Sequence, residues 1–482
     1  MKSIEKCPPC GGLLLSAGLH REHSKLGHHP ELREIGYLHY PVWHRVCWMR
    51  NRLKKINVAG LFFLAFPIGS LFWSVTATAA ITIVDARDTL DRAVTGPDLI
   101  GGVDDPSFDV YVADHELFDS NVYRIPSDAD VRAIVGPAAV KQDHINSPTA
   151  GIDGQWVFGR QIIDLALRAD DNRYAQNTDL NNVSTNDKAA WNWGLGSGLS
   201  GQVGVDYLRA LVSFVNSFDY VRNTYSRIES FAAARYQIGP RWAIFGGVLS
   251  DEITLSDPSS RVNDLRHKSV DMGLDFATSV ENSIGLDYRY TDARYPNAID
   301  LSNTTFDPDY REDRVRFLVK RLLSEKTTLD LNAGYLRRDY SNAIIGSFSG
   351  PIWRGTLGWQ PTDKTQLIVS EWRELQAYLT DATNYYRGTG ASISPVWIAS
   401  EKITLAIVVS REDQSFIGSS PNALNETARR DTVNAQQGSL TYTPSRALTF
   451  DVSYRYEQRS SNQELRTYND GLASAGVRFQ FQ

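Results

Sequence analysis

Cysteine is nearly missing from this 482-residue chain: Cys7, Cys10 and Cys47 are the three it has, and all precede Met49. Past that point no disulfide framework and no thiolate chemistry can operate. Cys7-Pro8-Pro9-Cys10 has the form of half a zinc or redox motif, but no second CxxC follows it, and no metal is expected there. Histidine is equally scarce. His20, His23, His28, His29, His39 and His44 also lie upstream of Met49, which leaves His115, His144 and His267. A nucleophile with a histidine base therefore has few places to form. Long apolar runs are missing as well, apart from one at about 58–75, so no other segment approaches the roughly 18 continuous apolar residues of a membrane helix.

That one run has a recognisable setting. Arg50, Arg52, Lys54 and Lys55 precede it and Ala77-Thr78-Ala79 follows it, the charged, apolar and small-x-small parts of a secretory signal peptide. The expectation is a start at Met49, a signal peptide over 49–80 cleaved near Ala79 or Ala80, and a non-native upstream extension over 1–48. Pro67 and Gly69 interrupt the run, which disfavours an uncleaved anchor, and no cysteine follows it to carry a lipid. Residues 1–80 hold ten of the 50 Lys and Arg and four of the 56 Asp and Glu, so the remainder has 40 basic and 52 acidic side chains, a formal charge of −12. Such a chain is no nucleic-acid binder.

What is abundant is two-residue alternation. Leu448, Phe450, Val452, Tyr454 and Tyr456 interleave with Thr449, Asp451, Ser453, Arg455 and Glu457, an apolar face against a charged one. Ile284 to Thr291, Leu329 to Tyr335 and Ile403 to Val409 repeat the pattern. A helical period would mix charges into the apolar face, so the class is all-β. Short turns near Gly159-Arg160, Ser200-Gly201, Gly239-Pro240, Glu281-Asn282, Ser324-Glu325-Lys326, Pro361-Thr362-Asp363, Ser400-Glu401 and Pro444-Ser445-Arg446 alternate with mostly longer polar links. This asymmetry predicts a transmembrane antiparallel up-and-down β-barrel over 107–482, in the bacterial outer membrane, with short turns on the periplasmic side. Segments such as 107–116, 147–158, 187–200, 202–217 and 471–482 give about 18 strands, with 16 to 20 open because residues 117–146 read as an outer loop, a plug in the lumen or a further hairpin. Residues 81–106 read as a periplasmic lead, too small for a domain.

The chain closes on Ser474, Gly476, Phe479 and Phe481, the polar-x-Gly-x-x-aromatic-x-aromatic pattern with which outer-membrane barrels end and which the barrel-assembly machinery reads. Asp119-Ser120-Asn121-Val122-Tyr123-Arg124, Gly159-Arg160-Gln161, Gly334-Tyr335-Leu336 with Arg338 and Tyr340, and Gly355 to Thr365 with Arg373-Glu374-Leu375 together resemble the EpsL-like outer-membrane proteins, within the wider β-barrel porin families. That resemblance implies a part in exopolysaccharide biosynthesis or export, as conduit or as partner of export proteins. The residues themselves imply a barrel with a charged interior, for which a general porin is the alternative reading and an outer-membrane hydrolase a third.

Strict alternation puts Arg314, Arg316 and Lys320 inside as a cationic ladder, with Asp330, Asp451, Arg455 and Glu457 adding mixed charge, either to select solutes or to brace the wall. Arg209 falls on the lipid side unless a bulge turns it. Trp191, Trp193, Trp242, Trp353, Trp359, Trp372 and Trp397 fit a headgroup belt. Gly194-Leu195-Gly196-Ser197-Gly198 lacks a following helix and reads as barrel wall, not a phosphate loop. Asp143 and His144 are expected on opposite faces, and the pairs Asp170-Asp171 and Asp307/Asp309 fall short of a calcium ligand set. No cofactor, metal or catalytic activity is expected, and the partners are outer-membrane lipid, the assembly machinery and, through the resemblance, exopolysaccharide and its export proteins.

Overall fold

The computed structural model describes residues 107–215, 219–298, 300–301, 304–305, 308–341, 346–377, 385–417, 429–463 and 465–481. The expected upstream extension, signal peptide and periplasmic lead, residues 1–106, lie outside the described residues.

Alternating apolar and polar side chains make each segment a strand with two unlike faces. The strands are β1 (Ser107–Asp119), β2 (Asp143–Phe158), β3 (Gln161–Tyr174), β4 (Asn182–Leu195), β5 (Leu199–Leu211), β6 (Thr224–Ile238), β7 (Trp242–Leu255), β8 (Leu265–Ser279) and β9 (Asn282–Arg294). A two-residue hairpin, β10 (Asp300–Leu301) and β11 (Thr304–Thr305), sits in the next link. Then come β12 (Tyr310–Ser324), β13 (Thr327–Tyr340), β14 (Phe348–Thr362), β15 (Thr365–Ala377), β16 (Tyr385–Ser400), β17 (Ile403–Ile417), β18 (Arg430–Ser445), β19 (Leu448–Ser461) and β20 (Tyr468–Phe481). Apart from the hairpin, each strand pairs antiparallel with its chain neighbours in an 18-stranded sheet. The sheet closes where β20 pairs with β1, from Val110↔Phe481 to Asp119↔Leu472. Closure leaves no free edge at that joint, which a backbone in hydrocarbon requires.

Burial separates the faces. On β19, Val452 and Tyr454 are 53% and 55% exposed, while Ser453 between them is 4% exposed. The apolar girdle lies toward the short turns. On β17 the outward residues Ile403, Leu405, Ile407 and Val409 give way to Arg411 and Asp413, and on β12 Val315, Phe317 and Val319 follow Arg311 and Asp313. An apolar band around a closed barrel is the surface a bilayer solvates, and the protein is a bacterial outer-membrane barrel. Beyond the band the wall continues toward the long links, faced with exposed ion pairs such as Arg266 with Glu252 (2.8 Å) and Arg337 with Asp339 (2.7 Å).

This projection corrects the reading of Arg209. It points outward in an unbroken register, Thr185↔Arg209↔Ser226, and no bulge turns it. It lies two residues from the end of β5, in the charged collar beyond the girdle, so burial in lipid never arises. Register shifts instead gather at the opposite rim, at Ala277/Ser279, Leu322/Ser324, Trp359/Thr362, Ile398/Ser400 and Tyr442/Ser445. Rims are where bulges end a ladder at least cost.

The strand ends also differ from the sequence reading. The β4–β5 turn is Gly196–Gly198, not Ser200-Gly201, because Gly196 takes a φ of +60° that reverses the chain there. The stretch Gly194 to Gly198 is thus half strand end and half turn. β1 runs on to Asp119 and β2 starts at Asp143, which shortens the first long link to 120–142.

One joint in the wall is incomplete. β14 begins at Phe348 and β15 runs to Ala377, yet their pairing stops at Trp353↔Arg373. Past it, Leu375 and Tyr385 pack with Leu336, Phe348 and Ile352, which lie on the inner face of β13 and β14. Tyr385 also stacks on Tyr340, ring centroids 5.5 Å apart. The end of the β15–β16 hairpin is therefore lapped inside its neighbours.

Candidate functional site

All seven charged residues singled out from the sequence sit on the inner face. On β12 they stand against carboxylates of the adjoining strands: Arg316 Nε donates to Asp287 Oδ1 of β9 at 3.1 Å, and Lys320 is directly opposite Asp330 of β13. Arg314 is opposite Arg289, whose own guanidinium pairs with Asp271 of β8 at 2.8 Å. On β19, Arg455 pairs with Glu457, whose second oxygen accepts from the Tyr468 hydroxyl at 2.5 Å, and Asp451 lies 3.5 Å from His115. The three cations are thus rungs of an alternating network, not a bare cationic ladder. Opposite charges on facing positions contribute about 0.2–1 kcal/mol each. Where both partners are buried, as with Arg338 and Glu312 at 2.6 Å, removing one costs about 3–5 kcal/mol because the other is stranded.

Glycine keeps this wall thin. The Phe245 ring lies across Gly273 of β8, where a Cβ would meet Phe245 Cζ at 2.2 Å. Tyr111 lies over Gly151 and Trp372 over Gly390 in the same way. A large side chain laid on a glycine lies close against the sheet, and Phe245 packs there with Phe231, Leu249 and Leu318. Trp372 therefore corrects the belt expectation: it faces inward, and its Nε1 donates to Glu412 at 2.7 Å. Its parity within β15 differs from that of Arg373, which pairs outward with Trp353. Trp191, Trp242, Trp359 and Trp397 are exposed on the outer face near the short turns.

At the other end, residues 120–142 fold inward. Val122, Tyr123, Ile125 and Ala139 pack with Leu117, Ile145, Tyr174 and Leu472, which face the interior from β1, β2, β3 and β20. Arg124 fastens the segment. Its guanidinium reaches Asp119 of β1 at 2.9 Å and Asp470 of β20 at 3.1 Å, all three buried. Burial alone would lower the Arg124 pKa, but the Asp119 and Asp470 carboxylates raise it above its ordinary value. Its backbone has a φ of 55°, a conformation that a non-glycine residue holds only when its surroundings enforce it. Asn121 Nδ2 donates to the carbonyls of Ile125 and Asn469 at 2.8 and 2.9 Å. Burial, with Asp143 adding, pushes the Tyr123 hydroxyl up to about 12. The β5–β6 link joins this cap: Phe214 packs on Tyr123 at 5.1 Å between centroids, and Arg459 of β19 donates to the Val215 carbonyl. That contact runs from the end of β5 to β19, past β4, β3, β2, β1 and β20, and so crosses the mouth.

Other candidates stay apart. Asp170 faces inward, accepting from Thr149 Oγ1 at 2.6 Å, while Asp171 faces outward to Arg173 at 2.7 Å. Asp309 caps the Tyr295 amide at 2.7 Å; Asp307 lies outside the described residues. His144 faces outward against Phe118, and Asp143 faces inward, accepting from the amides of Gln176 and Asn177. Sequence reasoning passed over His267, which bridges Asp251 (3.5 Å) and the Tyr310 hydroxyl (2.7 Å). Tyr310 is buried beneath the Arg338 guanidinium, and the arrangement links four strands, β7, β8, β12 and β13.

Residues 294–481 match the family described as "Putative beta-barrel porin 2". No curated protein matches the chain. Among solved structures, the outer-membrane protein OpdK of Pseudomonas aeruginosa aligns at 10% identity over 79% of this chain and 100% of its own, with a TM-score of 0.42. OccK2 (OpdF) of the same organism, in complex with glucuronate, aligns at 9% identity over 78% and 98%, TM-score 0.43. A BenF-like porin from Pseudomonas fluorescens Pf-5 aligns at 10% identity over 78% and 99%, TM-score 0.43. The closed 18-stranded wall and the family match over its second half make this chain a porin-like outer-membrane β-barrel.

Proposed function

We propose that the protein is a porin for small polar or charged solutes, narrowed at its outer mouth by residues 120–142. The observation that carries this is the pairing of a charged, flat inner wall with a cap held by Arg124 between Asp119 and Asp470. In this reading Lys320, Asp330, Asp451 and Arg455 face the passing solute while Arg314, Arg316 and Glu457 lie buried in the wall network behind them, and the balanced network favours no large single-sign field. Ser474, Gly476, Phe479 and Phe481 serve recognition by the barrel-assembly machinery; Phe479 and Phe481 present their rings on the outer face, while Ser474 and Gly476 face inward.

Exopolysaccharide export is the second reading, and the EpsL-like motifs support it. Against it stands the use made of one of them: Asp119 to Arg124 is spent on fastening the cap, which a polymer would have to displace. Liposome swelling with a graded series of neutral and charged sugars separates the two. Entry of monosaccharides with a sharp size cutoff supports the porin, and passage or tight binding of long acidic polysaccharide without monosaccharide entry supports the export role.

A further inference from the structure

Two arginines on the outer wall are left without counterions. Arg373 of β15 and Arg387 of β16 are diagonal neighbours on one face of the ladder, where Arg373 stands opposite Thr389 and Arg387 opposite Leu375. Neither forms an ion pair among the described residues, and the Nε of each is buried without a hydrogen-bond acceptor. Most other guanidiniums in the barrel have a carboxylate beside them, as Arg354 does in Glu374 on the inner face of the same joint. Glu371, two residues along from Arg373 on the same face, pairs with neither arginine. Two adjacent guanidiniums with orphaned donors repel each other until an anion with several acceptor oxygens lies between them.

Their height on the wall says which anion. The apolar girdle on these strands ends at Val369 and Ile393, and Arg373 lies two outward positions beyond Val369. At about 3.4 Å per residue and the tilt of a barrel strand, that is roughly 10 Å past the hydrocarbon edge, within an arginine's reach of the headgroup layer. Trp353, directly opposite Arg373, places its ring 5.4 Å from that guanidinium, as an interfacial tryptophan does. The β14–β15 ladder stops just above, where the end of the β15–β16 hairpin packs on the inner face of β13 and β14.

We infer that Arg373 and Arg387, with Trp353, form a binding site for the phosphate of an outer-leaflet lipid headgroup. Bidentate contact from two guanidiniums fits a phosphate monoester, and the charge it supplies holds the lapped hairpin against β14.

The test uses the full chain extracted from outer membranes and exchanged into phosphatidylcholine nanodiscs with bisphosphorylated lipid A, dephosphorylated lipid A or neither, with bound lipid counted by native mass spectrometry. The expected result is retention of the bisphosphorylated form, reduced about tenfold in Arg373→Gln/Arg387→Gln and recovered in part, not in full, in Arg373→Lys/Arg387→Lys, which restores the charge without the bidentate fork. Equal retention by the glutamine variant overturns the site. The wild-type comparison needs no variant: equal retention of dephosphorylated lipid A, or full displacement of lipid by millimolar inorganic phosphate, overturns the lipid assignment.

Discussion

The imidazole of His115 on β1 lies 3.5 Å from the carboxylate of Asp451 on β19, and it gets there by crossing Gly476 of β20. Three strands meet in that contact, and it spans the joint that closes the barrel. A Cβ on residue 476 would sit 2.3 Å from His115 Cδ2 and 2.8 Å from Asp451 Oδ1. The glycine of the terminal pattern thus has a packing reason besides any part in recognition.

Gly476→Ala therefore destabilises closure by about 1–3 kcal/mol. In detergent refolding, where no assembly machinery is present, heat-modifiable gel mobility should show less folded barrel. Adding His115→Ala removes the collision and should restore most of the yield. A double variant that refolds no better than Gly476→Ala alone contradicts the packing account.

Arg124→Gln strands two buried carboxylates, Asp119 and Asp470, at a cost of about 3–5 kcal/mol to the cap. The loss stays local, because strand pairing does not depend on residues 120–142. Limited proteolysis should cut that segment in the variant and spare it in the parent, while the barrel keeps its heat-modifiable mobility. Equal resistance in both would mean that hydrophobic packing alone holds the cap.

The inner network makes a selectivity prediction. Asp287→Asn removes the carboxylate from Arg316 and leaves an unpaired cation in the inner wall, so reversal potentials in a salt gradient should shift toward anions. Asp287→Arg with Arg316→Asp restores the pair with its order exchanged and should return selectivity to that of the parent. If Asp287→Asn leaves the reversal potential unchanged, the Arg316 charge does not act on the conducting path.

Gly273→Ala pushes the Phe245 ring off the wall. Overpacking of this kind costs about 1–3 kcal/mol, and the displaced ring narrows the lumen. Conductance and thermal midpoint should fall together; a fall in midpoint alone would mean the ring relaxes along the wall.

Much of this was legible in the sequence because a strand in a barrel advertises its two faces every second residue. Tyr454 and Arg455 could be assigned to opposite sides from spacing alone, and the turns pointed to about 18 strands with 16 to 20 open. Boundaries toward the long links were less legible, since the wall outruns the girdle there and β1 and β2 lose their apolar alternation before they end. Arg209 looked misplaced for that reason. Trp372 misled differently: it lies in the middle of β15, away from the strand-end tryptophans it resembles in sequence, and only the facing Gly390 reveals the space that takes it inside. The Arg316–Asp287 contact, the Arg124 latch and the lapped β15–β16 hairpin join residues distant in the chain, and no local pattern encodes them.

The central claim is a solute channel narrowed by a cap that Arg124 fastens, and the direct measurement is single-channel conductance in a planar bilayer, parent against Arg124→Gln. The account predicts steady openings in the parent and larger ones in the variant. Silence in both, with folding confirmed by gel mobility, would contradict it.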